Sequence, residues 1–443
     1  MIWTLLAASL ALASTAEIEH KAGVDAQVAG DATAALVHYG KCLELAPDNV
    51  PCHWEIGWSY WTEGDWAHVV EHWARVKELQ PGHPEVDRHL PAARAHLESL
   101  AAIREAGKSA PGTVRVPPPE GWTIRLRAVG DIMMGTDFPD PKAYLPPKDG
   151  VDLLAGVSSL LQDADLTFGN LEGPLCDGGT TNKCAAGDNC FAFRTPTRYG
   201  KYLVDAGFDV VSTANNHAED FGSECRTQTE NTLDALGIAF SGRPGTVASL
   251  THEGVKIALI GFHTSRNSHY VNDFETAAQL VRALDANHDL VIVSFHGGAE
   301  GNNATHVPDK MEKFYGEDRG HLRAFAKTVV EAGADLILGH GPHVVRGMQL
   351  INGHLAVYSM GNFATYGRFG LDRHLATSEI LEVVMDAEGK LVSGRIFPIH
   401  LEGEGIPMPD PNNTAIDLIR SLSTEDFGES APIIGQDGSF APR

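Results

Sequence analysis

The chain has 443 residues, so two domains are a better expectation than a single hydrophobic core. Its hydrophobic fraction of 43% and charged fraction of 21% are ordinary for a globular protein. The formal net charge of −24 repels nucleic acid and anionic lipid at long range, which argues against both as general partners. An anionic substrate is still compatible with this charge, because bound divalent cations invert the local potential.

The first 16 residues form an apolar run that ends in the small residues Ser14-Thr15-Ala16. The run is too short to span a bilayer but suits the core and cleavage site of a signal peptide. No Lys or Arg precedes it, so a buried first helix is the alternative. We predict that residues 1–16 are a signal peptide, that the protein is periplasmic or extracellular, and that it has no transmembrane segment.

The six cysteines, an even number, fit an oxidising compartment and therefore agree with export. Cys42 and Cys52 lie across a predicted helix–turn–helix. Four others crowd the later part of the chain and allow three connectivities, which the sequence leaves open. These four are Cys176, Cys184, Cys190 and Cys225. A structural zinc site is disfavoured because no Cys-x-x-Cys pair occurs.

Residues 17–108 repeat with an offset of 34 (57 − 23, 64 − 30, 73 − 39, 81 − 47). The matched pairs are Gly23 and Gly57, Gly30 and Gly64, Tyr39 and Trp73, and Pro47 and Pro81. The period and residue order resemble tetratricopeptide repeats, which predicts an all-α module with a capping helix over residues 84–108. The resemblance implies a protein partner for residues 17–108. The alternative is a helical hairpin array without a partner.

Residues 109–120 hold four prolines and are predicted to be a semi-rigid linker between two domains. From Gly121 onward, apolar β-rich runs alternate with helical patterns, which is typical of an α/β sheet. Strands are predicted at 123–130, 165–169, 209–214, 255–262, 290–295 and 335–339. Helices are predicted at 151–162, 196–206, 224–236, 276–285 and 318–332.

After His343 the pattern changes to β-hairpins. The first is predicted over 344–360 with Asn352-Gly353 as its turn, and the second over 379–398 with Glu388-Gly389 as its turn. Residues 404–443 are rich in Pro, Asn, Asp and Ser, which predicts a C-terminal tail with one short helix over 415–422.

Five predicted strands stop at residues whose side chains bind metals. They lead to Asp131, to Asn170 and Glu172, to Asn215, Asn216 and His217, to His296, and to His340 and His343. In open α/β sheets, ligands sit beyond the carboxyl ends of the strands, so these side chains are expected in one crevice. All offer oxygen or nitrogen, and none is a thiolate. This composition predicts a two-metal hydrolytic centre.

Six strings around these positions resemble the CapA family of poly-γ-glutamate or capsule synthesis proteins, within the calcineurin-like metallophosphoesterases. They begin at Val129-Gly-Asp131, Gly169-Asn170, Ala214-Asn215, Ser294-Phe-His296, Gly339-His340 and Tyr358-Ser-Met. The resemblance covers roughly residues 122–402. It implies an α/β fold, a four-layer αββα sandwich, over residues 121–403.

A carboxylate on a strand end has two oxygens and so can bridge two cations. Glu172 is therefore the candidate bridge between two divalent ions, with Mn, Fe and Zn as candidates. Asp131 and His343 would complete one site, and Asn216, His296 and His340 the other. The superfamily carries an Asp-x-His pair on the first strand, whereas this chain has Met133 in place of the histidine, so that site is short of one ligand.

The superfamily resemblance makes His217 the candidate group that protonates a leaving oxygen or stabilises phosphoryl charge. Asp220 is positioned in sequence to orient His217 through a ring nitrogen. Candidate substrate or outer-shell residues are Asn170, Asn215, Glu300 and Asn362. Taken singly, each residue has a simpler interpretation, because Asp and Asn often satisfy loop backbone and most histidines are structural.

Two functions from different classes remain open on the sequence. The first is a metal-dependent hydrolase acting on a phosphoester or an anionic cell-envelope polymer. The second is a non-catalytic assembly or export factor that binds an anionic capsular polymer through its cations. A third alternative, in which the helical module carries the function and the sheet domain is degenerate, is opposed by the nearly complete ligand set.

Overall fold

The computed structural model describes residues 2–29, 31–63, 65–108, 121–181, 183 and 191–443. The chain divides into two compact units, Met1–Ala102 and Ile103–Arg443. The predicted linker at 109–120 and the cysteines Cys184 and Cys190 lie outside the described residues.

The first unit is built from helices. They are α1 (Ile2–Val28), α2 (Ala32–Leu45), α3 (Val50–Glu63), α4 (Trp66–Leu79) and α5 (Pro84–Lys108), the last of which extends past the boundary of the unit. The predicted all-α module is therefore present. No helix in the described residues combines the length and apolar character needed to cross a membrane.

The sequence repeat corresponds to a repeated contact in the helical unit. A Cβ atom added at Gly23 would overlap the ring of Tyr39, and one added at Gly57 would overlap the indole of Trp73. Each glycine thus allows its helix to pack closely against a large aromatic side chain of the next helix. The other glycine pair of the sequence repeat, Gly30 and Gly64, lies outside the described residues. The tetratricopeptide assignment itself stays a prediction.

Two disulfides brace the described residues. Cys42–Cys52 joins α2 to α3 and packs against the buried side chain of Ala16. Helix α1 runs through Ala16 without a break, and the predicted signal peptide stays a prediction. Cys176–Cys225 is one of the pairings that the sequence left open.

The second unit is a mixed α/β fold, as predicted. Its strands are β1 (Thr123–Met133), β2 (Leu166–Leu171), β3 (Val210–Ser212), β4 (Ala239–Ser241), β5 (Ala248–His252), β6 (Val255–His263), β7 (His269–Tyr270), β8 (Leu290–His296), β9 (Glu312–Phe314), β10 (Glu317–Gly320), β11 (Leu336–His340), β12 (Met348–Ile351), β13 (His354–Val357), β14 (Asn362–Thr365), β15 (Thr377–Asp386), β16 (Leu391–Glu402), β17 (Ile406–Pro409), β18 (Ile433–Ile434) and β19 (Ser439–Ala441). Its helices are α6 (Pro141–Tyr144), α7 (Ser158–Leu161), α8 (Gly200–Ala206), α9 (Gly222–Leu236), α10 (Phe274–Asp285), α11 (Leu322–Glu331) and α12 (Thr414–Phe427).

The strands form two large sheets and the small β9–β10 hairpin. The first large sheet has the order β18-β19-β16-β15-β1-β2-β3-β4, with β14 pairing with β1 and β17 with β16. The second has the order β12-β13-β11-β8-β6-β5, with β7 pairing with β6. Strands β1, β2 and β3 are parallel to one another, as are β6, β8 and β11. Each set therefore presents its carboxyl ends along one edge of its sheet.

The main hydrophobic core joins side chains of both sheets. Leu126 and Phe168 of the first sheet belong to the same buried cluster as Leu259 and Leu338 of the second. A separate buried cluster joins the first sheet to α8 and α9. Phe325 of α11 contacts the rings of Phe262 and Phe295 on the second sheet. These contacts hold the carboxyl ends of the two parallel sets in fixed positions. The four-layer arrangement stays a prediction.

The structure differs from the predicted elements at three places. Residues 151–157 form turns, and only Ser158–Leu161 is helical where a helix was predicted over 151–162. Residues 317–320 form β10, so the predicted helix over 318–332 begins only at Leu322. Residues 404–443 are not a tail, because β17 and β19 pair with β16 and α12 buries Ile416 and Ile419 in the main core.

Candidate metal centre

Strand register brings the predicted site residues together at the carboxyl ends of the sheets. Asp131 on β1 lies opposite Asn170 on β2 and opposite Asn362 on β14. On the second sheet, His296 of β8 lies opposite His340 of β11. Strand ends far apart in sequence are thus neighbours in space, as the position of ligand sites in α/β sheets predicts.

Asp131, Glu172 and His296 form one compact group of metal-binding side chains. One ligand atom from each lies within 4.8 Å of the others, and all three residues are buried. Nε2 of His296 is 3.5 Å from Oε1 of Glu172. Two carboxylates and an imidazole at such distances can hold a divalent metal ion.

His340 and His343 lie around the Asp131 carboxylate. Nδ1 of His343 is 2.9 Å from Oδ2 of Asp131, and Nδ1 of His340 is 3.5 Å from Oδ1. On its other side, Nε2 of His343 is 3.8 Å from Oε1 of Glu172. The His343 imidazole therefore lies between the two carboxylates that the sequence assigned to the centre.

The turn between the two histidines needs an unusual backbone. Gly341 has φ +113°, and a Cβ atom there would lie 2.8 Å from the carbonyl oxygen of Gly297. His343 itself has φ 61°, a conformation that costs a non-glycine residue energy and that is concentrated at functional sites. The turn brings His340 and His343 next to the strand that carries His296.

The buried polar atoms of the centre show whether its residues fit a metal ion. Within the described residues, several lack a hydrogen-bond partner. They are Oε1 and Oε2 of Glu172, Oδ1 of Asn216, and both ring nitrogens of His296 and of His340. Leaving a buried polar atom without a partner costs free energy, because nothing replaces its lost water. A cation among these donors would remove that cost, so the residues fit a metal ion.

The electrostatics of the group follow from burial and close charges. Burial raises the pKa of Glu172 to about 8, and the facing Asp131 adds to this. Burial also raises the pKa of Asp131, but the nearby imidazoles of His340 and His343 outweigh it and hold the pKa below its usual range. Burial lowers the pKa of His343, yet the carboxylates of Glu172 and Asp131 outweigh it and raise the pKa to about 10. Burial lowers the pKa of His296 far below its usual value.

His217 and Asp220 form a buried pair beside this group. Nδ1 of His217 is 2.7 Å from Oδ2 of Asp220, and Nε2 is 3.8 Å from Oε1 of Glu172. The ring thus has one nitrogen on Asp220 and the other toward the predicted metal ligands. Burial lowers the pKa of His217, and Asp220 opposes this shift.

The predicted outer-shell residues occupy four different environments. Asn170 donates a hydrogen bond to Oδ1 of Asp131 over 2.8 Å, which orients that carboxylate. Asn215 donates to the Leu171 carbonyl over 2.9 Å and accepts from the His217 amide over 3.1 Å. These two residues support the backbone and carboxylate geometry of the centre.

The other two outer-shell candidates lie further from the carboxylates. Oε2 of Glu300 is 4.0 Å from Nε2 of His343, while Oε1 is 2.7 Å from the guanidinium of Arg319. The side-chain amide of Asn362 donates to the Leu375 carbonyl over 3.0 Å, and its Oδ1 has no partner within the described residues.

Sequence reasoning missed two residues at the centre. The ammonium of Lys183 is 2.7 Å from Oδ1 of Asp220 and 3.3 Å from Nδ1 of His217. No motif points to Lys183. His263 is also outside the motifs, but it lies opposite His296 in the sheet with ring centroids 5.4 Å apart. The signal for His263 was present, because it also ends an apolar strand.

A cavity of about 640 Å³ opens beside the centre. Asn216, His217 and His343 line its inner part together with aromatic rings, and the ring of Phe369 contacts both His343 and Phe193. Three cationic side chains also line it, those of Lys183, Arg319 and Arg368. The volume is typical of small-molecule sites, and the cations suit an anionic ligand.

Comparison with solved structures finds a purple acid phosphatase, PPD1 from yellow lupin. It matches with a TM-score of 0.35 and 9% sequence identity, over 64% of this chain and 52% of the phosphatase. At that TM-score, the likeness carries no argument about the fold.

Comparison of sequences finds relatives among capsule proteins. "Capsule biosynthesis protein CapA" of Bacillus anthracis is 29% identical over 267 residues, which cover 55% of this chain and 60% of the relative. "PGA biosynthesis protein CapA" of Bacillus subtilis (strain 168) is 27% identical over 281 residues, which cover 60% of this chain and 68% of the relative. The match thus spans less than two thirds of the first relative and about two thirds of the second. "Probable polyglutamine synthesis accessory protein Rv0574c" of Mycobacterium tuberculosis is 25% identical over 255 residues, which cover 48% of this chain and 63% of the relative.

The family model described as "Bacterial capsule synthesis protein PGA_cap" matches residues 125–366, more than half of the chain. This range contains the residues of the candidate metal centre from Asp131 to Asn362. The chain belongs to the family of bacterial capsule synthesis proteins represented by PGA_cap.

Proposed function

We propose that this protein is a divalent-metal-dependent hydrolase of the phosphoesterase type that acts on a phosphoester or an anionic polymer of the capsule or cell envelope. The observation that carries the proposal is the set of buried donors without partners at Glu172, His296 and His340. A structure that served only for packing would fill these positions with apolar side chains at lower cost.

The ligands in this proposal are those predicted from the sequence. Glu172 is the proposed shared ligand, Asp131 and His343 would complete one site, and Asn216, His296 and His340 would complete the other. Two divalent ions, when bound, would lower the pKa of water and neutralise negative charge on a phosphoryl group. Asn170 keeps the Asp131 carboxylate oriented through its 2.8 Å hydrogen bond.

His217 is the proposed proton donor to the leaving oxygen. Its Nε2 faces the Glu172 side of the cavity, while Asp220 accepts a hydrogen bond from Nδ1 and so fixes the ring orientation. Lys183 contacts Asp220 and His217 and adds positive charge next to the space that an anionic substrate would occupy. The ring of Phe193 lies 4.4 Å from that of His217 and keeps water from one of its faces.

The wider context of the chain is part of the proposal. In this proposal the hydrolase domain is a four-layer sandwich over residues 121–403. The protein is exported by means of a signal peptide at residues 1–16. The two disulfides support an oxidising location. The helical unit, with its recurring glycine–aromatic contact, supports a tetratricopeptide-like module that binds a protein partner.

A second function has support from the family. The matching family model and the names of the Bacillus relatives refer to capsule or PGA biosynthesis, so a non-catalytic assembly or export factor for an anionic polymer is the alternative. In that case the cations would bind polymer carboxylates without bond cleavage. The two functions differ in their dependence on His217, because a binding protein has no need of a proton donor.

The test is elemental analysis of purified full-length protein combined with hydrolysis of bis(p-nitrophenyl) phosphate. The hydrolase proposal expects stoichiometric Mn, Fe or Zn and metal-dependent release of p-nitrophenol, lost on chelation and restored by one of these metals. Metal-loaded protein that binds an anionic polymer but releases no p-nitrophenol would favour the assembly factor. Protein that cannot be loaded with metal would contradict both.

A further inference from the structure

The β9–β10 hairpin places an unusual tyrosine at the mouth of the cavity. Tyr315 lies at the turn of this hairpin, followed by Gly316, and both have positive φ, 47° and 85°. The side chain is 94% exposed, and it lines the same cavity as His217 and His343. A large ring at a tight turn is thus presented to solvent next to the candidate centre.

Tyr315 does not help the fold in this position. An L-residue with a bulky side chain pays about 1–2 kcal/mol for the left-handed conformation, and two-residue hairpin turns of this kind prefer Asn or Gly at their first position. Apart from its contact with Phe314, at a centroid distance of 4.5 Å, the ring remains in water. A backbone outlier and an exposed aromatic at one position indicate a role outside the fold.

A second exposed aromatic lines the same cavity. Phe191 is 48% exposed, and the guanidinium of Arg368 lies over its ring at 5.5 Å. Lys183 and Glu317 are polar lining residues of the cavity, and the predicted metal ligands Asn216 and His343 line it together with His217. The mouth of the cavity is therefore aromatic with polar groups beside the rings, and its inner end is the candidate centre.

We propose that Tyr315 and Phe191 bind a sugar ring of a phosphate-bearing glycan whose phosphate lies at the metal centre. The proposal rests on the proposed hydrolase function and specifies its substrate class. A pyranose presents an apolar C–H face that stacks on aromatic rings, while its hydroxyls suit polar neighbours such as Glu317 and Lys183. A polynucleotide would also stack on the rings, but the net charge of −24 repels it.

The test is calorimetric binding to the full chain loaded with Mn²⁺ and carrying His217→Ala, which slows turnover during the titration. The probes are glucose 1-phosphate and glycerol 1-phosphate, which share the phosphate but differ in the ring. We expect glucose 1-phosphate to bind about tenfold more tightly, as one aromatic stacking contact provides. Adding Tyr315→Asn or Phe191→Ala should remove this preference and leave the affinity for glycerol 1-phosphate unchanged.

Two control measurements distinguish a loss of sugar binding from a loss of folding. Tyr315→Asn suits the positive φ better than tyrosine does, so its melting temperature should equal or exceed that of the parent while sugar preference is lost. Ile433→Ala removes another exposed apolar side chain, 56% exposed on β18, and should keep the preference.

Three results would overturn the proposal. They are equal affinity for the two probes, a preference that survives Tyr315→Asn, and tighter binding of adenosine 5′-monophosphate than of glucose 1-phosphate. Each of these leaves the proposed hydrolase standing. If no phosphate compound binds to the metal-loaded protein, the substrate class and the hydrolase function fail together.

Discussion

Nε2 of His296 and Oε1 of Glu172 lie 3.5 Å apart in the buried interior, and neither atom has a hydrogen-bond partner within the described part of the chain. His296 ends β8 of the second sheet, and Glu172 follows β2 of the first. Their proximity therefore depends on how the two sheets pack through the shared core. It leaves a nitrogen and an oxygen with free electron pairs facing each other, and a bound cation would satisfy both.

Replacing His217 with alanine tests the proposed proton donor. Loss of a positioned general acid should lower turnover of an alkyl phosphate ester by about 10²–10⁴-fold, because an alkoxide is a poor leaving group and then departs unprotonated. Metal content should not change, since His217 is not among the proposed ligands. Asp220→Asn should give a smaller loss and an altered pH–rate profile, because it acts by orienting the ring. Full activity in His217→Ala would remove the proton donor from the account.

Replacing Gly341 with alanine tests the turn between His340 and His343. The added Cβ would meet the carbonyl oxygen of Gly297 at 2.8 Å at a φ of +113°, so the turn must shift. We expect a lower melting temperature and weaker metal binding, measured by differential scanning calorimetry and by competition with a chelator.

Gly254→Ala is the matched control for this turn. Gly254 also has positive φ, +86°, but a Cβ there has open space around it. It should cost about 1–2 kcal/mol from backbone conformation alone and leave metal affinity intact. Equal metal affinity in Gly341→Ala and Gly254→Ala would show that the turn does not set the ligand geometry.

Two glycines of the helical unit should respond to alanine in opposite directions. Gly57→Ala forces a methyl group into the indole of Trp73 and should destabilise the unit, whereas Gly40 in α2 has open space. Gly40→Ala should therefore stabilise by about 0.5–1 kcal/mol, because alanine is the better helix former. Chemical unfolding followed by circular dichroism measures both changes. Equal responses would contradict the close helix approach at Gly57.

The buried carboxyl of Glu379 should make the free energy of unfolding depend on pH. This buried carboxyl has no partner within the described residues, and burial raises its pKa from 4.5 to about 8. Because the folded state holds the proton to higher pH than the unfolded state, stability falls as pH rises between these values. Glu379→Gln cannot ionise, so it should exceed the parent in stability at pH 9 by a few kcal/mol, an order of magnitude set by about 1.4 kcal/mol per pKa unit.

The measurement is the difference in free energy of unfolding between Glu379→Gln and the parent at pH 5 and pH 9. Other titrating groups are common to both proteins and cancel in the difference. A difference that is the same at both pH values would mean that Glu379 is not buried as a neutral acid.

Local sequence patterns were sufficient for the strands that carry the site. Strands β1, β6, β8 and β11 appear where apolar runs predicted them, because each run is largely buried on both faces. The same pattern placed His296 and His340 at strand ends. His263 also ends a predicted apolar strand. It was overlooked because no family motif includes it.

The structure differs from the sequence predictions where pairing between strands determines the secondary structure. Residues 317–320 have a helix-compatible composition, yet pairing with β9 makes them a strand. Residues 404–443 look like a polar tail, yet β16 is available as a partner for β17 and β19. Lys183 contacts Asp220 although 37 positions separate them in the sequence. No local pattern contains such information.

The most direct test of the central claim is the metal content and location in the full-length protein. Anomalous diffraction from crystals of metal-loaded protein should show a peak bounded by Asp131, Glu172 and His296. Elemental analysis should find that Glu172→Gln loses bound metal while the exposed Glu388→Gln retains it. Absence of a peak at these residues, or equal metal content in the two variants, would contradict the account.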